Sequence, residues 1–159
     1  MPTAEQRDKA ARLCASATLY LRVALAAAFL SAVADRFGAW GSYGALNVAW
    51  GDMTHFMIYA GKLNPWFPKA VIPAVAWFVT GVETLLGATL LLGIETRRAS
   101  QVSGWLLLAF AIGMTVGTGM KSALNASVFT ASAGAFLLAS IPEYPLSFDS
   151  ARKTRRCDL

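Results

Sequence analysis

Four long apolar runs, separated by polar segments, constrain the fold of this chain more than any other feature of its sequence. They cover residues 13–34, 71–92, 101–119 and 124–141. Each is close to the roughly 17–25 residues that a helix needs to cross the hydrocarbon core of a bilayer. Within lipid, only helices and closed barrels satisfy every backbone polar group. The pattern therefore predicts an all-α fold, a bundle of four transmembrane helices.

The composition favours lipid as the solvent for this chain. Of the 159 residues, 56% are hydrophobic and 14% are charged, whereas an ordinary soluble domain is about 25% charged. A chain of this length cannot hide so much apolar side chain in one water-soluble core. The lipid bilayer is therefore the first expected partner. We expect no nucleic-acid binding, because the basic residues lie at the two ends and in the connections between apolar runs.

Polar segments divide the chain into three parts. A cytoplasmic N-terminal segment (1–12) precedes a membrane domain (13–141), and a basic cytoplasmic tail (142–159) of the kind that is often disordered follows it. The outer loop 35–70 mixes aromatic and charged residues, as segments at the bilayer interface do. Its stretch 46–60 is too polar to span and predicts a short interfacial helix between the first two spans.

The distribution of basic residues predicts the orientation. With four spans, the N-terminal segment, the connection 93–98 and the tail share one side of the membrane, which carries nine Lys and Arg. The other side carries four. The positive-inside rule then places both termini in the cytoplasm. We expect a multi-pass protein of a bacterial-type inner membrane, with the aromatic loop facing outward.

Two ionisable residues, Arg22 and Glu83, fall inside the predicted spans. Each lies about ten residues from the cytoplasmic end of its span, so both are expected about 15 Å deep and paired with each other. Such a pair is either a structural clasp that fixes helix register or the lining of a pocket for a quinone head group or a proton path. Ser132 and Thr130 fall at a similar depth and can add hydroxyls, although such residues more often pack or bond to their own helix.

A second group of candidates belongs to the outer face. It consists of Asp35, Arg36, Asp52, His55 and Lys121. Asp52 and His55 are three positions apart and share one face of the predicted interfacial helix. A solvated interface pair is a more common outcome for two such residues than a catalytic dyad.

We expect no metal site. His55 is the only histidine, and the two cysteines, Cys14 and Cys157, lie near opposite ends of the chain. Metal sites and disulfide frameworks both need ligands with clustered spacing.

Three segments carry a resemblance to a known family. The segment 21–38 contains LRV, FL and VADRFG, and 83–97 contains ETLLG followed by LLLG and TR. The segment 121–129 contains KSALN followed by SVF. In these segments and over nearly its whole length the chain resembles the DoxX family of four-span membrane proteins.

This resemblance implies a redox-associated role. The family includes the membrane subunit of thiosulfate:quinone oxidoreductase and partners of other redox enzymes, and related proteins support methylamine dehydrogenase maturation. No cysteine here is placed for sulfur chemistry, which argues against sulfur oxidation. The leading hypothesis is a subunit that binds a quinone or similar amphipathic molecule at Arg22 and Glu83, beside a redox enzyme. If the chain is catalytic, we expect an oxidoreductase subunit with quinone as electron acceptor.

Two alternatives stay open. Distant relatives act as membrane chaperones, so the chain can be a non-catalytic assembly partner that holds another protein through Trp50, Trp66 or Phe67 of the outer loop. A weaker alternative is a small-molecule transporter. Four spans form a pore only as a homo-oligomer, and no inverted repeat is visible.

Overall fold

The structure, a computed structural model, describes residues 3–150 and is all-helical over that part of the chain. The helices are α1 (Ala4–Arg36), α2 (Met53–Leu63), α3 (Ile72–Leu92), α4 (Thr96–Thr118), α5 (Met120–Asn125) and α6 (Val128–Ser140), with a 3₁₀ turn at Lys69–Val71. No strand occurs among the described residues. The prediction of an all-α protein is therefore confirmed.

Within residues 3–150, three helical segments are long and apolar enough to cross a bilayer: α1, the segment Lys69–Leu92 that contains α3, and α4. These are the helices of a membrane protein. The fourth predicted span, 124–141, is broken after α5, because Ser127 adopts the left-handed conformation with a φ of 54°. The remaining helix, α6, has 13 residues, about 20 Å of helix against a hydrocarbon core of about 30 Å.

Helix α1 is much longer than the predicted first span. It has 33 residues, which correspond to about 50 Å of helix. It begins with a capping box, in which the Thr3 hydroxyl accepts from the Gln6 amide at 3.3 Å and the Gln6 side chain accepts from the Thr3 amide at 2.9 Å. Asp35 and Arg36, predicted in the outer loop, lie instead in the last turn of the helix.

Helix α2 follows α1 and precedes α3 in the chain, as predicted for the interfacial helix, but it begins seven residues later than that prediction. Asp52 is its N-cap and accepts a hydrogen bond from the His55 amide at 2.9 Å. The residue before it, Gly51, has a φ of 69°, and a Cβ there would lie 2.3 Å from the Tyr43 amide nitrogen. The chain therefore turns sharply just before α2, and residues 46–52 of the predicted interfacial helix are not helical.

The contacts between α1 and α3 establish that they run antiparallel. A Cβ on Gly87 would lie 2.8 Å from Leu30 Cγ, and a Cβ on Gly93 would lie 2.7 Å from Arg22 Nη1. As residue numbers rise in α1, those of the facing residues in α3 fall. Arg22 is thus level with the turn between α3 and α4, which we call the turn end. Arg36 lies at the opposite end, beside α2, which we call the α2 end.

The apolar core packs where α1, α3, α4 and α6 meet. It is formed by Leu25, Ala26, Phe29, Leu86, Leu90, Ala99, Ala135, Leu138 and Tyr144. Gly104 lets α4 approach α6 closely, since a Cβ there would lie 2.7 Å from the Phe136 ring. At the α2 end, Gly117 of α4 packs directly on the backbone of Lys62 and Leu63, where a Cβ would lie 2.2 Å from the Lys62 carbonyl oxygen.

The segment 142–150 is fixed to the turn end. The Asp149 carboxylate accepts hydrogen bonds from the amides of Glu95 and Thr96 at 2.9 and 2.8 Å, and the Asp149 amide donates to the Gly93 carbonyl at 3.1 Å. This part of the predicted tail is therefore ordered, because it supplies partners to the exposed amides at the start of α4. The four basic residues of the tail lie outside the described residues.

Candidate functional site

A buried ion pair joins α1 to α3 at the α2 end. Arg36 contacts Glu83 through its Nη1 atom, and the two side chains are only 2% and 3% exposed. The same nitrogen donates to the Thr80 hydroxyl at 2.8 Å. Thr80 in turn donates to the Ala76 carbonyl one turn earlier, also at 2.8 Å. The charge of Arg36 is therefore held by one carboxylate and one hydroxyl on a single face of α3.

Aromatic rings cover this ion pair. The guanidinium carbon of Arg36 lies 3.6 Å from the ring centroid of Phe56 in α2 and 5.2 Å from that of Trp50. Trp50 and Phe56 also meet edge to face, with 5.1 Å between their centroids. A guanidinium over an aromatic face is a favourable cation–π arrangement, and it is stronger where water is excluded. The rings therefore stabilise Arg36 on the side away from Glu83.

Asp35, the neighbour of Arg36, carries a carboxylate whose capacity to accept hydrogen bonds is only partly used. It is 5% exposed. Its Oδ2 atom accepts from the Trp50 amide at 2.8 Å, whereas its buried Oδ1 atom has no hydrogen-bond partner among the described residues. Leaving a buried acceptor unsatisfied costs about 1–3 kcal/mol, and more when the group is charged. A donor that reached this oxygen would therefore recover that cost.

A cavity of about 590 Å³ opens beside Asp35, between α1 and the loop 38–52. On the helix side it is lined by Ala28, Ser31, Ala32 and Asp35. On the loop side it is lined by Trp40, Leu46, Asn47, Ala49 and Trp50. The four helix positions follow the i, i+3, i+4, i+7 spacing of one helix face, and they extend over about 10 Å. The cavity is therefore a groove with a floor of small residues and a carboxylate at one end, which we call the Asp35 groove.

The loop that forms the other wall is fastened at several points. Trp40 donates its indole N–H to the Ser31 carbonyl at 3.2 Å. Tyr43 stacks on His55 with 3.7 Å between the ring centroids, and His55 Nδ1 lies 2.8 Å from Asp52 Oδ2. Hydrogen bonds from the His55 backbone and side chain, the backbone bond contributing most, lower the pKa of Asp52 below its usual value. Asp52 and His55 therefore hold the loop to α2, outside the groove.

The prediction that Arg22 pairs with Glu83 is wrong, because Glu83 pairs with Arg36. Arg22 donates to the carbonyls of Pro145 and Leu146 at 3.2 and 2.7 Å. It lies fourteen positions before Arg36 in α1, about 21 Å along the helix axis. Helix α1 extends well beyond the level at which α3 ends. Residues that are equally far from the ends of the two predicted spans therefore do not lie at the same depth in the bundle.

The remaining sequence candidates do not join the groove. Ser132 is buried and donates to the Gly104 carbonyl at 2.8 Å, which ties α6 to α4. Thr130 is exposed on α6, and Lys121 is exposed on α5 without a side-chain hydrogen bond or ion pair to another described residue. Within residues 3–150, no group of three or more His, Cys, Asp or Glu side chains is placed to hold a metal ion.

Sequence reasoning identified Asp35 but missed the groove beside it. The signal that can be read from sequence is a stripe of small residues at 28, 31 and 32 that leads to Asp35 on one helix face. The second wall depends on Trp40 and Trp50, whose positions are set by the loop.

Comparisons of the chain with protein-family models, with curated proteins and with solved structures gave no match. The assignment of a function therefore depends on the geometry of the Asp35 groove and its surroundings.

Proposed function

We propose that this protein binds an amphipathic molecule of the quinone class in the Asp35 groove and serves as the membrane subunit of a redox system. The observation that carries the proposal is Asp35, a buried carboxylate with an unpartnered oxygen at one end of a groove with an apolar floor. The volume of about 590 Å³ lies within the range of about 300–1,000 Å³ of small-molecule sites.

The groove suits a molecule with one polar and one apolar end. Asp35 and Asn47 offer hydrogen bonds to a head group. Ala28 and Ala32 offer a shallow apolar path for a tail along α1. Trp40 and Trp50 offer flat faces on which an aromatic or quinonoid ring can stack.

The Arg36–Glu83 pair has a supporting role in this proposal. Both side chains are buried, and Arg36 is covered by the aromatic rings of Trp50 and Phe56. The Arg36–Glu83 pair and the rings that cover it therefore hold α1, α3 and the loop together, which keeps Asp35 fixed beside the groove. This proposal places the ligand at Asp35, rather than between Arg22 and Glu83.

The proposed topology has four membrane-crossing segments, with α5 and α6 together forming the fourth. The N-terminal segment, the connection 93–98 and the tail carry nine of the fourteen Lys and Arg residues, which supports a cytoplasmic turn end and cytoplasmic termini in an inner membrane. The α2 end and the Asp35 groove then face outward. The resemblance to DoxX proteins supports the same topology and a redox partner.

Tryptophan fluorescence tests the proposal directly, because two of the five tryptophans line the groove. A ubiquinone with a ten-carbon tail, titrated into the full chain in nanodiscs, is expected to quench the fluorescence saturably. Trp40→Phe and Trp50→Phe should each reduce the amplitude of this quenching.

A matched pair of substitutions provides the control. Ala32→Leu fills the groove and should weaken binding at least tenfold. Ala27→Leu adds the same side chain to an exposed position of α1 outside the groove and should leave binding unchanged. Non-saturable quenching in the unmodified protein, or equal effects of the two leucines, would refute quinone binding here.

A second candidate function is a non-catalytic assembly partner. Trp66 and Phe67, between α2 and α3, are 55% and 41% exposed, and Leu46 in the loop is 90% exposed. Exposed apolar side chains at the end of a helix bundle suit contact with another protein. A partner that co-purifies with the unmodified chain, but not with Trp66→Ala, Phe67→Ala, would support this role.

A further inference from the structure

The groove presents an acceptor to its ligand, and this restricts the chemistry of the head group. Asp35 is the only ionisable residue among those that line the groove in the described part of the chain. Its Oδ2 atom is already bonded to the Trp50 amide, and its Oδ1 atom has no partner there. A ligand atom that approaches Asp35 must therefore be a hydrogen-bond donor.

The neighbouring arginine does not change this restriction. The Arg36 guanidinium is directed to Glu83 and Thr80 and is covered by Phe56. Asp35 and Arg36 form no ion pair with each other. Arg36 therefore leaves the Oδ1 atom of Asp35 without a hydrogen-bond partner among the described residues.

The other polar groups of the groove do not discriminate between donors and acceptors in the same way. The Trp40 indole N–H is committed to the Ser31 carbonyl. The Asn47 amide and the Trp50 indole can donate to a ligand, but a hydroxyl accepts such bonds as a carbonyl does. Ser31 and Asn47 can each donate as well as accept, whereas the carboxylate of Asp35 only accepts, so Asp35 favours a hydroxyl head group over a carbonyl head group.

We propose, building on the function proposed above, that the groove selects amphipathic molecules with a donor head group, and so takes the hydroquinone in preference to the quinone. The two forms have nearly the same shape and tail. A quinone offers carbonyl oxygens, whose lone pairs face those of Asp35, whereas a hydroquinone offers two O–H donors. A site built to bond a hydroxyl rejects an analogue that lacks it, because its own buried group is then left unpaired.

The test compares three molecules with the same ten-carbon tail: the ubiquinone, its hydroquinone kept reduced under argon, and the dimethyl ether of that hydroquinone. Each is titrated calorimetrically into nanodiscs containing the full chain, with empty nanodiscs subtracted. The hydroquinone is expected to bind at least tenfold more tightly than the other two. The dimethyl ether keeps the aromatic ring and removes only the donors.

The variant Asp35→Asn removes the selectivity without removing the loop anchor. An asparagine carbonyl still accepts from the Trp50 amide, while its NH₂ group can turn to the ligand as a donor. The preference for the hydroquinone should fall to within about twofold of unity. The matched control, Asp52→Asn, makes the same change at the same end but outside the groove and should retain the preference.

The outcomes separate this inference from the function on which it depends. Equal binding of quinone and hydroquinone would overturn donor selectivity and leave quinone binding intact. Decylamine supplies a donor head group without a quinone ring. If it binds in an Asp35-dependent way and neither quinone form does, donor selection stands and the quinone class is wrong. Failure of both quinone forms and of decylamine to bind would overturn both proposals.

Discussion

The two ends of the bundle use the same residue type from the same helix in different ways. At the α2 end, Arg36 is buried against a carboxylate and aromatic rings. At the turn end, Arg22 is buried as well, but it donates to the neutral carbonyls of Pro145 and Leu146. The first arrangement joins two helices through opposite charges, and the second fastens the segment 142–150 that follows α6. Removing one partner therefore has different consequences at the two ends.

The largest effect is expected when the charge of Glu83 is removed. Glu83→Gln leaves the Arg36 guanidinium buried without its counter-ion, and breaking such a pair typically costs about 3–5 kcal/mol of unfolding free energy. Reversible unfolding in mixed micelles measures the loss. Glu95→Gln is the control, because the Glu95–Arg98 pair is 59% and 81% exposed and exposed pairs contribute about 0–1 kcal/mol. Equal losses of unfolding free energy in the two variants would contradict the larger contribution expected of the buried pair.

A smaller and more local effect is expected at the turn end. Arg22→Met keeps much of the aliphatic volume but removes hydrogen bonds to two carbonyls, at a cost of about 1.5–3 kcal/mol. Hydrogen exchange should accelerate in residues 142–150 and stay unchanged in α2. Arg12→Met, on the exposed first part of α1, is the control. Faster exchange in α2 instead would show that the two ends are not independent.

The smallest effect concerns Asp52, at the α2 end but outside the groove. The folded state lowers the pKa of this carboxyl, mainly through the hydrogen bond from the His55 backbone. Ionised Asp52 therefore adds stability that is fully present above the unfolded pKa of about 3.9 and is lost as the pH falls through the lower folded value. Asp52→Asn retains an N-cap, so its melting temperature should be slightly lower at pH 5.

The pH series completes this comparison. The difference in melting temperature between Asp52→Asn and the unmodified protein should shrink as the pH is lowered from 5 to 3. A difference that stays constant over this range would mean that the charge of Asp52 does not contribute to stability.

Local signals in the sequence predict much of the helical framework. The predicted span 71–92 agrees with α3 to within one residue, since Pro73 suits a first helical turn and Gly93 a helix end. The start of α1 is also marked, by Thr3 and Gln6 at the spacing of a capping box. The break at Ser127 has no such signal, because serine seldom adopts the left-handed conformation found there.

Sequence alone indicated Asp35 and Arg36 only as outer-face candidates in the loop after the first span, and it placed the ligand at Arg22 and Glu83, which do not pair with each other. The partner of Glu83 depends on how far α1 and α3 are shifted along the bundle axis relative to each other. Counting residues from the ends of apolar runs does not give this shift. The second wall of the groove is the loop 38–52, which has positive φ at several positions. The path of such a loop cannot be derived from the periodicity of the sequence.

The cap that Asp149 provides for α4 affects how the molecule can be assembled. The amides of Glu95 and Thr96 obtain their acceptor from a residue more than fifty positions later in the chain. During synthesis, α4 is completed and inserted long before that acceptor exists. Until residue 149 leaves the ribosome, the first turn of α4 depends on water or lipid head groups for hydrogen bonds. Closure of this end therefore has to wait for the synthesis of the segment that follows α6.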